Sequence, residues 1–366
     1  MSSFTAEDRA AMADSVRRLL ADLCTEADIR RAMESEAGYD AALWTALVDL
    51  GVAGLVIDPA HDGLGGGPVE LEAIMEEAGA ALLPAPLFAV TMAAALIAAC
   101  GDAAASDRLL PGLARGRIAT VALTGEAGTW TPEGVALAAH AHGERWFLDG
   151  TASYVLHGAA ADLVLAVARI EGGFAIFEVA PDAPGLAVER LQSFDRTLRL
   201  AKMDFRHVPA TRLGQAGWEA VEAMLRLALV ALAGEQAGGA RRVLEMTVQY
   251  AKTRIQFGRA IGSFQAIKHM AADLLLESES ATSAARAAAE ALASGAPDAA
   301  EAVHLAAFAC ADAYARTAAD AIQMHGGIAF TWAHPAHLYL RRARADLHLL
   351  GAPAYHRERF LQAMGA

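Results

Sequence analysis

The feature that most limits how this chain can fold is a double change in the period of its apolar residues. From Thr5 to about Gly116 they recur at helical spacing, from about Arg117 to Leu213 they fall in short runs between turn pairs, and from Gly214 onward the helical spacing returns. A chain of 366 residues is also too long for one ordinary core. Three units are therefore expected: a helical domain over residues 1–117, a β domain over 118–213 and a helical bundle over 214–366.

In the first unit, Asp40 is the expected N-cap ahead of Leu43, Trp44 and Leu47. Helices there are punctuated by the loop Gly63, Gly65, Gly66 and Gly67 and by the turn from Leu83 to Pro86. The apolar run from Leu82 to Cys100 opens with Pro84 and Pro86 and is then short and alanine-rich, so it reads as a buried helix and not a membrane span. In the second unit the expected strands are Ile118–Leu123, Arg145–Leu148, Leu163–Ala168 and Phe174–Val179. Turns at Asp149-Gly150, His157-Gly158, Gly172-Gly173 and Pro184-Gly185 have the even spacing of a barrel or sandwich.

The third unit places Val221, Leu225, Ala228, Leu229 and Leu232 on one face of a first helix. A second helix from Phe264 carries Ile267, Ala271, Leu274 and Leu275. A third runs from Asp298 to Met324 through Val303, Ala307, Cys310 and Tyr314, and a fourth from Pro335 to Leu350. Four helices with short connections make an antiparallel bundle. The composition suits close helix packing, because the 55% hydrophobic content is largely alanine.

A formal charge of −13 provides no positive field for a polyanion, which argues against nucleic acid, while a local anion site needs only one or two cations. Cys24, Cys100 and Cys310 are far apart and lack metal-ligand spacing, so buried thiols and no metal centre are expected. The mixed-charge opening MSSFTAEDRAAMADSVRRLL lacks the apolar stretch of a secretory signal, and a cytoplasmic location is the expectation.

Two segments carry chemistry. Tyr250-Ala-Lys-Thr-Arg-Ile-Gln-Phe-Gly258, continuing to Phe264-Gln265, puts a cation, an amide, an aromatic and a glycine where one bundle helix ends and another begins. Gln323-Met-His-Gly326-Gly327 puts an amide and adjacent glycines at the end of a long helix. Each residue alone has a plain structural reading, as a helix cap, a core aromatic or a solvated charge.

In this order the segments resemble the acyl-CoA dehydrogenase family, whose C-terminal bundle carries an RxQFG-type element, a following FQ and a QxxGG element. Leu43-Trp44, Leu50-Gly51-Val52-Ala53-Gly54, Gly65-Gly66, and Leu110-Pro111 with Gly116 are similar to the family's opening helices and loops. The resemblance covers nearly the whole chain. It implies an α+β fold of N-terminal α-helical domain, middle β-barrel or sandwich and C-terminal four-helix bundle. It also implies FAD at a subunit interface, served by Arg254, Gln256, Phe257, Gln265, Gln323, Gly326 and Gly327, with an acyl-CoA as substrate. A guanidinium with several N–H donors suits the pyrophosphate.

The departures are as informative. The family's TEPxxGSD-like stretch here reads Thr124-Gly-Glu-Ala-Gly-Thr-Trp-Thr-Pro132, and its WIT-like strand reads Ser153-Tyr-Val-Leu-His157. The catalytic acid, needed to remove the proton alpha to a thioester, belongs in a closing element that here reads Leu349-Leu350-Gly351-Ala352-Pro353, with Leu350 in its seat. A minority of the family carries the acid on the first bundle helix, where counting back from Arg254 reaches Ala228. No catalytic residue is therefore expected. Of the nearby carboxylates, Glu222 reads as a solvated face and Asp346 as paired with Arg341, Arg342 or Arg344, while Glu235 and these two are candidates for a relocated acid only if geometry allows. His356 reads as a surface residue on a short terminal helix.

The favoured expectation is a non-catalytic subunit lending phosphate-facing residues to an FAD shared with a paralogous chain. A self-sufficient homomeric flavoenzyme and a non-enzymatic structural or regulatory pseudoenzyme are the alternatives.

Overall fold

The computed structural model describes residues 4–365. Helices α1 (Ala6–Leu23), α2 (Glu26–Glu34), α3 (Ala41–Asp49), α4 (Pro68–Ala80), α5 (Leu87–Ala99) and α6 (Ala103–Ala114) come first. Their starts are set by local chemistry: Thr5 and Thr25 make capping boxes with Asp8 and Asp28, and Asp40 accepts from the amides of Ala42 and Leu43. Helix α5 is the apolar run, and nearly all of it is buried. Among the described residues no helix is long and apolar enough to cross a membrane. Cys24, Cys100 and Cys310 are all buried.

Strands β1 (Ala119–Ala122), β2 (Leu137–His142), β3 (Arg145–Leu156), β4 (Leu163–Ile170), β5 (Gly173–Val179), β6 (Leu186–Arg190) and β7 (Leu200–Leu213) follow. The pairing β4–β2–β3–β7–β5–β4 returns to its first member, so five strands close into a barrel, with β1 added on β4 and β6 on β7. Alternate residues such as Val164, Ala166, Phe177, Met203 and Phe205 fill it. One expected turn is corrected here. Asp149-Gly150 lies inside β3, where the register against β7 shifts between Leu148 and Gly150 and the Asp149 carboxylate accepts the His207 amide at 2.7 Å. The pair marks a β-bulge and not a hairpin.

The last third contains α7 (Trp218–Thr253), a two-residue hairpin β8 (Ile255–Gln256) and β9 (Arg259–Ala260), then α8 (Gln265–Ser294), α9 (Ala299–His325), α10 (Ala336–Asp346) and α11 (Pro353–Ala363). The expected fourth helix ends at Asp346, and a further helix opens at Pro353, whose fixed φ suits a first helical position. Asp298 occupies the N-cap of α9 but makes no side-chain capping bond. Leu275, expected on a buried face, is exposed, as is Leu276, because the packed face of α8 runs through Leu274, Ser278, Ala281 and Ala285.

One core is shared by the first helices and the bundle. Its seam is the crossing of α4 and α7, where the backbones touch. A Cβ on Gly238 would lie 1.8 Å from the Glu76 carbonyl oxygen, one on Gly79 1.9 Å from that of Glu235, and one on Gly234 2.6 Å from that of Glu72. Only glycine permits that approach.

Candidate functional site

The two chemistry-bearing segments meet at one end of the bundle. Tyr250, near the end of α7, packs its ring 4.6 Å from that of His325, the last residue of α9, and His334 lies 4.5 Å beyond His325. This places the Arg254 hairpin beside the Gly326-Gly327 turn. Arg254 leaves the helix in extended conformation, its amide still bonded to the Tyr250 carbonyl at 2.8 Å. Gln256 follows, then Phe257 and Gly258 form the hairpin tip at φ 52° and 77°.

All seven sequence-identified residues are exposed, Phe257 at 92%. Among the described residues the side chains of Arg254, Gln265 and Gln323 make no hydrogen bond, and Gln256 reaches only the neighbouring Ile255 carbonyl at 2.9 Å. A Cβ built on Gly326 or Gly327 would meet nothing within 4 Å. Exposed Ile255, Ile328, Phe330 and Trp332 are also on these segments. This end of the chain thus offers unspent donors and uncovered apolar surface.

The two residues expected in the acid positions are in the interior. Ala228 is buried on α7. Leu350 is 2% exposed at φ 62°, followed by Gly351 at 120°, so the closing turn keeps a left-handed backbone while presenting an apolar side chain. This turn separates two cavities. The larger, about 500 Å³, lies between the barrel and α10, with Tyr154, Leu198, Leu200, His348 and Leu349 among its walls. The smaller, about 390 Å³, is lined by Leu350 itself, and Trp130 forms part of both walls.

Hydroxyls near the larger cavity are already engaged. Tyr154 on its wall donates to the Glu126 carbonyl at 3.1 Å, and Thr124, buried behind it at the start of the same loop, donates to the Thr129 carbonyl at 2.8 Å. The wall is left mostly apolar.

The other candidate groups are placed as follows. Glu222 is exposed and accepts from the Trp218 indole at 3.0 Å. Glu235 is buried in a cluster around Arg342, whose guanidinium donates to Glu235, to Asp195 at 2.7 Å and to Thr197 at 2.7 Å. Asp346 does not make the expected arginine pair: it is buried, and among the described residues neither carboxyl oxygen has a hydrogen-bond partner. Burial, then the nearby Glu235 charge, pushes its carboxyl well above the ordinary range. His356 is corrected as well. It is buried, with Nδ1 3.1 Å from Nδ1 of His304, and burial followed by that neighbour lowers it to about 4. None of these groups stands in Leu350's place.

Asp195, Thr197 and His304 escaped the reading of the sequence, and Trp130 entered it only as part of the Thr124–Pro132 stretch. Arg342 meets Asp195 across 147 residues and Glu235 across 107, separations at which spacing carries no signal.

Residues 6–117 match the family model described as acyl-CoA dehydrogenase, N-terminal domain, and residues 215–365 match acyl-CoA dehydrogenase, C-terminal domain. A curated relative, acyl-CoA dehydrogenase IpdE2 of Mycobacterium tuberculosis, is 35% identical over 95% of this chain and 94% of its own length. The chain belongs to the acyl-CoA dehydrogenase family. IpdE2 of Mycolicibacterium smegmatis is 32% identical over 95% of the chain and 96% of its own length. Among solved structures, the ChsE4-ChsE5 complex from Mycobacterium tuberculosis superposes with a TM-score of 0.91 at 28% identity, over 100% of this chain and 99% of that one. A variant of the Tcur3481-Tcur3483 steroid ACAD superposes with a TM-score of 0.89 at 31% identity, over 98% of each chain. The chain is thus an oxidoreductase-family protein with a three-part fold.

Proposed function

We propose that this chain is the non-catalytic subunit of a heteromeric acyl-CoA dehydrogenase that introduces an α,β double bond into an acyl-CoA, with the acid and the flavin-ring site supplied by a paralogous subunit. The observation that carries this reading is the asymmetry of the chain's own groups. Donors suited to a pyrophosphate stand exposed and unspent at the bundle end, while the interior has Leu350 and Ala228 where a proton acceptor belongs. The ChsE4-ChsE5 complex and the Tcur3481-Tcur3483 steroid ACAD are named as two-component proteins, which favours a paralogous partner and a bulky acyl group.

The fit to FAD is divided in the same way. Arg254 would hold the pyrophosphate through its guanidinium, with Gln256, Gln265, Gln323 and the uncrowded backbone at Gly326 and Gly327 completing the cradle and Phe257 covering it. The larger cavity fits the polar edge of an isoalloxazine poorly, because the Tyr154 hydroxyl on its wall donates to a backbone carbonyl. Bound FAD supplies the two-electron acceptor of the reaction. This chain's part is to bind and orient; Leu350 and Ala228 can neither take nor hold a proton.

The test is flavin content of the chain purified alone and after co-expression with an acid-bearing paralogue. The reading expects little flavin alone, and flavin retention together with anaerobic reduction by acyl-CoA in the complex. One tightly bound FAD per chain, reduced by acyl-CoA without a partner, overturns it.

A further inference from the structure

We infer that the outer face of the barrel carries a binding site for a divalent late-transition-metal ion, held by the imidazoles of His142 and His207. Both residues are exposed, and neither lines the two cavities beside the closing turn. His142 is the last residue of β2 and His207 lies in β7, with β3 paired between those strands. Neighbouring strands run about 4.8 Å apart, so the two backbones are separated by about twice that. Their rings nevertheless converge to 5.4 Å between centroids, inclined at 69°, beside the ring of Phe147 on β3.

That separation matches a shared ion. A metal sits about 2.0–2.1 Å from an imidazole nitrogen and the ring centre lies about 1.1 Å behind it, so two rings on one tetrahedral ion have centroids about 5.2 Å apart. Each neutral ring keeps one nitrogen as an acceptor.

The surrounding strands hold His207 in place. It is a non-glycine residue at φ 53°, in the left-handed region that such residues adopt only when their surroundings impose it. The Asp149 carboxylate, 58 residues away in the chain, accepts its amide at 2.7 Å, and the bulge in β3 at Asp149-Gly150 offsets the register at this point. Phe147 stacks on the His207 imidazole at 4.0 Å with the planes 3° apart. A ring fixed by its backbone and by stacking loses little freedom on taking a ligand.

The ligand type selects the ion. Imidazole suits copper, nickel and zinc, whereas magnesium and calcium prefer oxygen. Among the described residues no third histidine, cysteine, aspartate or glutamate completes a three-ligand set. His140, two residues before His142 on the same face of β2, makes no ring contact with either histidine among the described residues. Cys24, Cys100 and Cys310 are buried and take no part. Two protein ligands leave the remaining positions to water, so the site is open and exchanging, unlike a closed structural zinc centre. The flanking charges of Glu144, Arg145 and Arg206 are exposed, where water and salt screen them.

The test is isothermal titration of the untagged, full-length chain with zinc chloride and with magnesium chloride. One saturable site is expected for zinc and none for magnesium at the same concentrations. His142→Gln and His207→Asn, the second chosen because asparagine tolerates the left-handed backbone, should each weaken zinc at least about tenfold. His140→Gln should leave it unchanged. Loaded with one equivalent of copper(II), the chain should show electron paramagnetic resonance couplings from a pair of imidazole nitrogens, reduced to a single one in either weakened variant. No saturable zinc binding, equal binding of magnesium, affinity undiminished in either variant with unaltered circular dichroism, or an equal loss from His140→Gln overturns the assignment. The measurement involves neither flavin, acyl-CoA nor a second subunit, so its outcome is separate from that of the heteromer reading.

Discussion

Glu72 should make the chain less stable as pH rises, and Glu72→Gln should remove that loss. The residue lies on α4 with 2% exposure, and among the described residues its Oε1 has no hydrogen-bond partner. Burial first, then repulsion from Glu76, raises its carboxyl from 4.5 to about 8. The group is therefore neutral in the folded chain at pH 5 to 7, while in the unfolded chain it is ionised. A carboxyl that holds its proton more tightly when folded contributes its full stability below the unfolded value near 4.5, and that contribution is lost as pH rises through about 8. At the rate of 1.4 kcal/mol per tenfold in proton affinity the loss has a ceiling of about 5 kcal/mol. Glutamine has the shape of the protonated acid and does not titrate. The difference in urea stability, variant minus wild type, should be small at pH 4.5, climb steadily to pH 8 and level off above it. Taking the difference across pH cancels the fixed cost of the unpartnered amide. A difference that is flat within about 1 kcal/mol from pH 4.5 to 9 would refute the reasoning, showing that solvent or a rearranged Arg286 meets the charge.

Three further outcomes are expected. Arg254→Ala should lower flavin retained by the co-purified complex more than Arg254→Lys, which keeps charge but loses the planar fork; equal retention in both and in wild type would remove Arg254 from the site. Arg342→Met should cost roughly 3–5 kcal/mol in urea unfolding, because Asp195, Glu235 and Thr197 would be left buried without their donor, and a cost below about 1 kcal/mol would contradict the buried cluster. Leu350→Glu should give no efficient dehydrogenation by the chain alone, since the ring-side donors remain bound to backbone carbonyls; rapid acyl-CoA-dependent flavin reduction by this single variant would count against the division of labour.

The helical parts were legible because burial imposes a three-to-four residue period: Val221, Ala228, Leu229 and Leu232, and Val303, Cys310 and Tyr314, are all buried as their spacing implied. The β region was legible only in part. Strand β2 is Leu137 followed only by alanine and histidine, and β6 is an exposed edge, so neither carries the apolar alternation of a half-buried strand; β7 does alternate, Ala201, Met203 and Phe205 with Lys202 and Asp204, but only over its first half before His207 and Pro209 interrupt it. For the site, residues on contiguous motifs were accessible to reading. Groups assembled from distant elements were not: His356 looked like a terminal surface residue because its partner His304 lies 52 residues away on another helix. Leu275 shows the opposite limit, an apolar residue on the expected face that stays exposed.

The backbone contact between α4 and α7 has a consequence for how such a chain can change over generations. Gly79, Gly234 and Gly238 are pinned by carbonyl oxygens and not by side chains, so no compensating substitution on the opposite helix can make room for a methyl group there. Side chains at Leu350 and in the loop around Trp130 can change while the fold persists, because those positions face cavities. The glycine seam allows no such latitude. A lineage whose cavity walls change would still inherit the joint that keeps its first hundred residues and its bundle as one body, and with it the frame in which those cavities sit.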